Sequence, residues 1–166
     1  MLIETRAKGG NLLLNVGPMA NGELPLAQTD RLQELALWLF VNGESIYDVR
    51  PLPTIRESLA FDRTAWFLRS TQEDAVYALI TGAVWPKGER RTITLKTIRA
   101  GEDTEIELLG QSGHVLEYRP TVNPKATWYQ DDHGLNISAM RAQRLYNNSA
   151  WPNPVAIKMT NVVQIH

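Results

Sequence analysis

The sequence predicts a mainly β chain: a short β/α unit, then an antiparallel β-sandwich of about eight strands. Three observations carry that reading. Residues 8–18 (KGGNLLLNVGP) form a glycine-led apolar run that stops at Gly17-Pro18, and residues 30–47 continue into one helical pattern. Beyond residue 58 the period shortens, and apolar or aromatic runs of five to eight residues recur between Gly-, Asp- and Pro-rich turns. At 166 residues the chain holds one ordinary domain, or a smaller one joined to part of another.

Leu12, Leu13 and Leu14 would lie on both faces of a strand at about residues 11–16. Strands apolar on both faces belong inside parallel sheets covered by helices. One strand makes no sheet, so the chain is expected to begin inside a domain whose other strands lie elsewhere. Asn21-Gly22 signals a turn in the loop that follows. Leu32, Leu35, Ala36, Leu39 and Phe40 recur with the i, i+3, i+4, i+7, i+8 spacing of a core-facing helix stripe. Pro25 and Asp30 suit the helix start, and Asn42-Gly43 are residue types that tolerate a left-handed cap.

Residues 1–50 therefore read as an incomplete β/α unit, residues 51–58 (with Pro51 and Pro53) as a linker, and residues 59–166 as the sandwich. Strands are expected at 64–70, 75–81, 90–97, 104–109, 115–118, 126–130, 134–138 and 155–160. Turn clusters such as Pro86-Lys87-Gly88 and Gly101-Glu102-Asp103 separate them.

Composition narrows the function classes. A net charge of −1 without charge runs gives no electrostatic footprint for nucleic acid or an anionic membrane. The lack of cysteine removes disulfides, thiolate metal sites and cysteine nucleophiles, and leaves the compartment undetermined. No cofactor-binding motif and no Gly-x-Ser-x-Gly elbow is present.

The motifs resemble those of one family. KGGNLLLNVGP, the Asn21-Gly22 turn and the helix DRLQELALWLFVNGESIY (Asp30 to Tyr47) resemble the last barrel strand and helix of the retaining α-L-fucosidases, glycoside hydrolase family 29. AVYALITGAVWP (Ala75 to Pro86), IELLG (Ile106 to Gly110), GLNI (Gly134 to Ile137) and AIKMTNV (Ala156 to Val162) follow in the family's order. The barrel motif is the specific one; the sandwich motifs gain force from their sequence order.

The resemblance implies a two-domain parent, a (β/α)8-like catalytic barrel followed by a C-terminal β-sandwich, with residues 1–50 as the barrel's last strand and helix. A whole barrel needs roughly 250 residues, more than this chain has. The parent would hydrolyse terminal α-L-fucosyl linkages with retention, using two carboxyl groups about 5–5.5 Å apart. In the family the nucleophilic Asp and the acid/base Glu both precede the last strand, so no catalytic residue transfers to this chain, and it is expected to be inactive alone. The partner expected is the catalytic barrel, in cis or as a separate chain, with fucosylated glycans reached through the parent enzyme. A free-standing carbohydrate-binding module and a homo-oligomerisation domain are the alternatives.

Three residues stand out as substrate-binding candidates. Asn15 falls near the C-terminal end of the expected strand, where barrel enzymes place their sites, although a structural Asn would also fit. Trp85 and Trp151, each followed by proline, are the better exposed of the five tryptophans. Flat aromatics of that kind stack on sugars, though they also pack under loops. Trp66 and Trp128 fall within expected strands, and Trp38 falls near the helix stripe as an interdomain packing residue.

Other clusters read more plainly. Gly9-Gly10 precede a strand rather than joining strand to helix, which is the wrong geometry for a phosphate cradle. Asp131-Asp132-His133 read as a solvated hairpin tip, and His114 and His166 lack zinc spacing. Glu44 reads as a solvated or capping residue. Asn136 and Asn147 each begin a glycosylation sequon.

Overall fold

The computed structural model describes residues 1–82, 85–86, 88–111, 121–141 and 153–165. Two helices come first, α1 (Leu2–Ala7) and α2 (Leu26–Asn42), and a 3-10 turn at Gly43–Ser45 ends the second. Ten strands follow: β1 (Val49–Leu59), β2 (Arg63–Ser70), β3 (Ala75–Thr81), β4 (Arg90–Leu95), β5 (Ile98–Ala100), β6 (Ile106–Leu108), β7 (Thr127–Asp131), β8 (Gly134–Met140), β9 (Val155–Thr160) and β10 (Val162–Gln164).

They form a five-stranded sheet in the order β1-β2-β3-β9-β6, a three-stranded sheet β4-β8-β7 and a ribbon β10-β5. Every pairing is antiparallel. Ala65, Phe67, Val76, Ala78, Ile157 and Met159 on one face of the large sheet share a core with Ile93, Leu95, Leu135 and Ile137 of the small one. This is the expected sandwich, and seven of the eight expected strands form close to their expected bounds. The eighth, 115–118, lies outside the described residues.

The large sheet is also covered on its other face. Trp66, Leu68, Ala75, Tyr77, Leu79 and Ala156 make a second core with Ile3, Ala7, Trp38 and Ile46. Strand β3 is consequently buried from Ala75 to Ile80. A half-exposed strand would alternate apolar and polar residues, whereas AVYALI is apolar throughout, as burial on both faces requires.

Residues 51–58, expected as a linker, belong to β1. Its two prolines are tolerated because β1 is an edge strand. The pairing register with β2 shifts between Pro51 and Arg56, and the Gln164 side chain satisfies the bulged backbone. Its Nε2 donates to the Thr54 carbonyl at 2.8 Å, and its Oε1 accepts from the Thr54 N–H at 3.0 Å.

The expected strand at 11–16 does not form: residues 10–19 adopt no regular element. A strand exists only by exchanging hydrogen bonds with a neighbour, and no described strand lies beside this segment. The unforeseen helix α1 precedes it. Gly9, at φ +80, turns the chain out of α1, and a Cβ there would sit 3.3 Å from the Pro51 ring.

The α2 cap also differs from expectation. Gly43 sits in the right-handed region at φ −58 and carries the helix into the 3-10 turn, rather than ending it left-handed. The Asn42 side chain donates back to the Trp38 carbonyl, and Ser45 Oγ donates to the Asn42 carbonyl.

Because the large sheet is packed on both sides, truncation should be equally costly on either. Leu79→Ala, on the helix side, and Ile157→Ala, on the sandwich side, are each expected to lower stability by about 2–5 kcal/mol in urea denaturation. A cost below 1 kcal/mol for Leu79→Ala alone would mean that the helices do not cover that face in solution.

Candidate functional site

Helix α2 presents two faces to two environments. Trp38, 5% exposed, points into the second core, and its indole N–H donates to the Pro154 carbonyl at 2.8 Å, just before β9. Burial of a tryptophan is favourable when its N–H finds a partner, so this one residue fixes the helix on the sheet. Trp38 is thus a packing residue between α2 and the large sheet.

A polar clamp adds to it. Lys158 of β9 holds the Glu73 carboxylate at 2.8 Å and the Glu44 carboxylate at 3.4 Å. The Tyr77 hydroxyl lies 3.4 Å from the same Glu73 oxygen. Glu44 is therefore an ion-pair partner of β9, not merely a solvated cap. Burial of Lys158 disfavours its charge, but the hydrogen bond to Glu73 and the fields of Glu44, Tyr77 and Glu73 outweigh this and hold the ammonium above its usual range. The Lys158 bond draws the Glu73 carboxyl below its usual range. Burial, reinforced by Glu44, pushes the Tyr77 phenol up to about 12.

Arg6 of α1 ties the remaining pieces. Its guanidinium donates to the carbonyls of Ile46, Val49 and Gly10 at 3.1, 3.3 and 3.1 Å. Residues on both sides of segment 11–25 are thereby anchored.

The segment itself is open. Leu13 is 86% exposed and Phe40 of α2 is 89% exposed; Leu14, Val16, Met19, Leu26 and Leu37 are exposed as well. Of the expected core-facing stripe, only Leu39 packs against the second core, while Ala36 and Phe40 face outward. The outward face, Gln33, Ala36, Leu37 and Phe40, repeats at helical spacing opposite Trp38. The Gln28 side chain pins segment to helix, accepting from the Gly17 N–H at 2.9 Å and donating to its carbonyl. The segment and the outer helix face thus both expose large apolar side chains, and exposed apolar patches mark interaction surfaces.

Of the sequence candidates, Asn15 is exposed within this segment. Trp85 is 1% exposed, which corrects the expectation of an open indole. Its N–H donates to the Glu89 carbonyl at 2.8 Å, the Arg91 guanidinium lies over its ring, and the ring fills the sandwich core. Trp151, His114, His166 and the Asn147 sequon lie outside the described residues. Asn136 is buried, and its side chain bonds Thr94 and the Gly134 carbonyl. At the β7–β8 hairpin tip Asp131 accepts the His133 and Gly134 N–H groups. No cluster of metal-ligating side chains occurs among the described residues, and no described helix is long and apolar enough to cross a membrane.

Fold and surface together define a β-sandwich module whose outer sheet face is covered by two helices. Comparison with known proteins places it in a family. The α-L-fucosidase family model matches residues 1–44, the two helices and the open segment between them. The plasma α-L-fucosidase of Rattus norvegicus is 35% identical over 109 residues, which cover 66% of this chain and 23% of that protein. A Thermotoga maritima α-fucosidase solved with fucose aligns over 95% of this chain and 32% of its own, with TM-score 0.62 and 22% identity. A Bacteroides thetaiotaomicron GH29 α-L-fucosidase, solved as a trapped covalent intermediate, aligns over 97% of this chain and 30% of its own, with TM-score 0.56 and 17% identity. The chain corresponds to the C-terminal portion of an α-L-fucosidase, and it spans about a quarter of the length of the curated relatives it matches.

Two outcomes test the site's construction. Trp38→Ala is expected to cost about 3–5 kcal/mol and to speed amide exchange in α2 well before the sandwich opens; uniform protection loss would sink the anchoring role. The Tyr77 phenol titrates near 12 when folded and near 10.0 when unfolded, so the folded state favours its neutral form. That contribution is complete below pH 10 and fades as pH rises toward 12, and the raised Lys158 acts in the same direction. Urea midpoints should therefore fall over this window, and less steeply for Tyr77→Phe.

Proposed function

We propose that this chain is the C-terminal module of a retaining α-L-fucosidase and that its segment 11–25 and helix α2 complete the catalytic (β/α)8 barrel. One observation carries the reading: the part of the chain matching the fucosidase family is also the part that leaves Leu13, Leu14, Val16 and Phe40 uncovered. The occupant of that surface is the rest of the barrel. It would pair the backbone of residues 11–16 into a parallel sheet and cover the outer face of α2. The fucosidase structures that align here are about three times as long as the aligned part, which leaves ample protein to do so.

The division between barrel part and sandwich falls at the turn ending α2, just before β1. The module contributes position rather than chemistry. No residue of it is assigned as nucleophile or acid/base; those carboxylates belong to the barrel, where hydrolysis of terminal α-L-fucosyl linkages would proceed through a covalent fucosyl intermediate. A relative trapped as a covalent intermediate supports retention. Asn15, exposed near the end of the strand to be formed, is assigned to the rim of the sugar site. Trp38 and Lys158 would hold barrel and sandwich in one orientation.

The test is reconstitution. The 166-residue chain alone should not hydrolyse 4-nitrophenyl α-L-fucopyranoside. Joined to, or co-expressed with, a fucosidase barrel truncated before its last strand, it should restore turnover, and Leu13→Asp should abolish that gain while leaving the isolated module folded. An active isolated chain, or a stable homodimer that buries Leu13 and Phe40 and refuses the barrel, would overturn the reading.

A further inference from the structure

The sandwich has a second open feature, remote in sequence from the barrel-completing surface. Among the described residues β6 and β7 each end a sheet, β6 paired with β9 and β7 with β8. Between these two edges lies a cleft of about 590 Å³, within the roughly 300–1,000 Å³ common for small-molecule sites. Its floor is apolar: Ile106 and Leu108 are buried residues of the sandwich core, and half-buried Trp128 packs against that core. Its rim is polar. Glu105 and Glu107 project from β6, Lys158 of β9 lies in register with Glu107, and Asn123 and Lys125 come from the chain ahead of β7.

The rim groups are unspent. Among the described residues, the carboxylates of Glu105 and Glu107, the ammonium of Lys125 and the indole N–H of Trp128 have no hydrogen-bond or ion-pair partner. Three of the four are acceptors or donors on exposed residues, while the indole sits half in the core. The Trp66 and Trp85 indoles, by contrast, both donate to protein oxygens. A half-buried indole between free acceptors and a free donor suits a ligand with one apolar face and hydroxyls around its edge.

We propose that this cleft is a saccharide-binding site, with Trp128 as the platform, Glu105 and Glu107 accepting from sugar hydroxyls, and Lys125 and the Trp128 N–H donating to them. The carboxylates of Glu105 and Glu107 are balanced by Lys125 and Lys158 in the lining, so the cleft carries no net charge that would select phosphate or nucleic acid. Its three-residue edge at β6 offers only the backbone groups of Ile106 and Leu108 to an added peptide strand, too few for strand addition. The site would retain a glycan chain while the barrel acts on its fucosyl end. The choice of a fucosylated probe rests on the fucosidase reading, whereas the cleft's chemistry does not.

The experiment is a 15N–1H NMR titration of the 166-residue chain with 2′-fucosyllactose, lactose, L-fucose and a valine-threonine pentapeptide. Saturable shifts at the Trp128 indole and along β6 and β7 with at least one of the sugars are expected. Trp128→Ala should weaken binding about tenfold, and Glu107→Ala, at an exposed position, should weaken it without disturbing the fold. Absence of saturable shifts with all three sugars, shifts unchanged in both variants, or binding of the pentapeptide alone would overturn the site. Failed reconstitution of hydrolysis would count against the barrel reading and leave a measured sugar affinity standing.

Discussion

A sheet buried on both faces governs this structure. Strands β2, β3 and β9 have no solvent face: one side faces β4 and β8, the other faces α1, α2 and the turn after it. Such strands are apolar over most of their length, and their buried backbone groups must be matched within the sheet. The registers between β2 and β3 and between β3 and β9 run without interruption. Irregularity is confined to the edge, where β1 carries two prolines and a register shift. A rigid, two-sided sheet makes the helices part of the folded module rather than a loose appendage.

That constraint explains how an incomplete β/α unit can remain ordered. Isolated helices of this length are marginal in water, and tertiary packing supplies most of their stability. Trp38 supplies it here by filling the second core and donating to the Pro154 carbonyl. The ion cluster of Lys158 with Glu73 and Glu44 adds direction more than energy, since both carboxylates are about half exposed and such pairs contribute little. Helix α2 is thus held from one side only. Its other side, with Leu13 and Leu14, stays exposed among the described residues.

Much of the sandwich was legible because alternation and turn chemistry are local. Ile93 and Leu95 share a face in β4, and hairpins turn at Glu73-Asp74 and at Asp132-His133. The departures were non-local. Residues 51–58 look like a linker because prolines usually exclude a strand, and only their place at a sheet edge permits one. Strands β5 and β10 are three residues each, too short for a period to show. Trp85 looks exposed beside Pro86, yet the Glu89 carbonyl satisfies its N–H inside the core. The helix stripe through Phe40 was real as a pattern, but a pattern cannot say which of two apolar faces is covered within the chain.

The leucine run at 12–14 makes the same point in reverse. Its composition is that of a central strand, and the chain nevertheless leaves it without secondary structure. Composition states what environment a segment is suited to; hydrogen bonding states what it has. Where the two disagree over a short segment, with intact anchors on both sides (Arg6 before it, Gln28 after it), the segment is held ready for an environment supplied by other residues. The mismatch coincides with the stretch shared with the α-L-fucosidases. Under the proposed reading, the strand that residues 11–16 do not form here is the point through which a barrel would be completed.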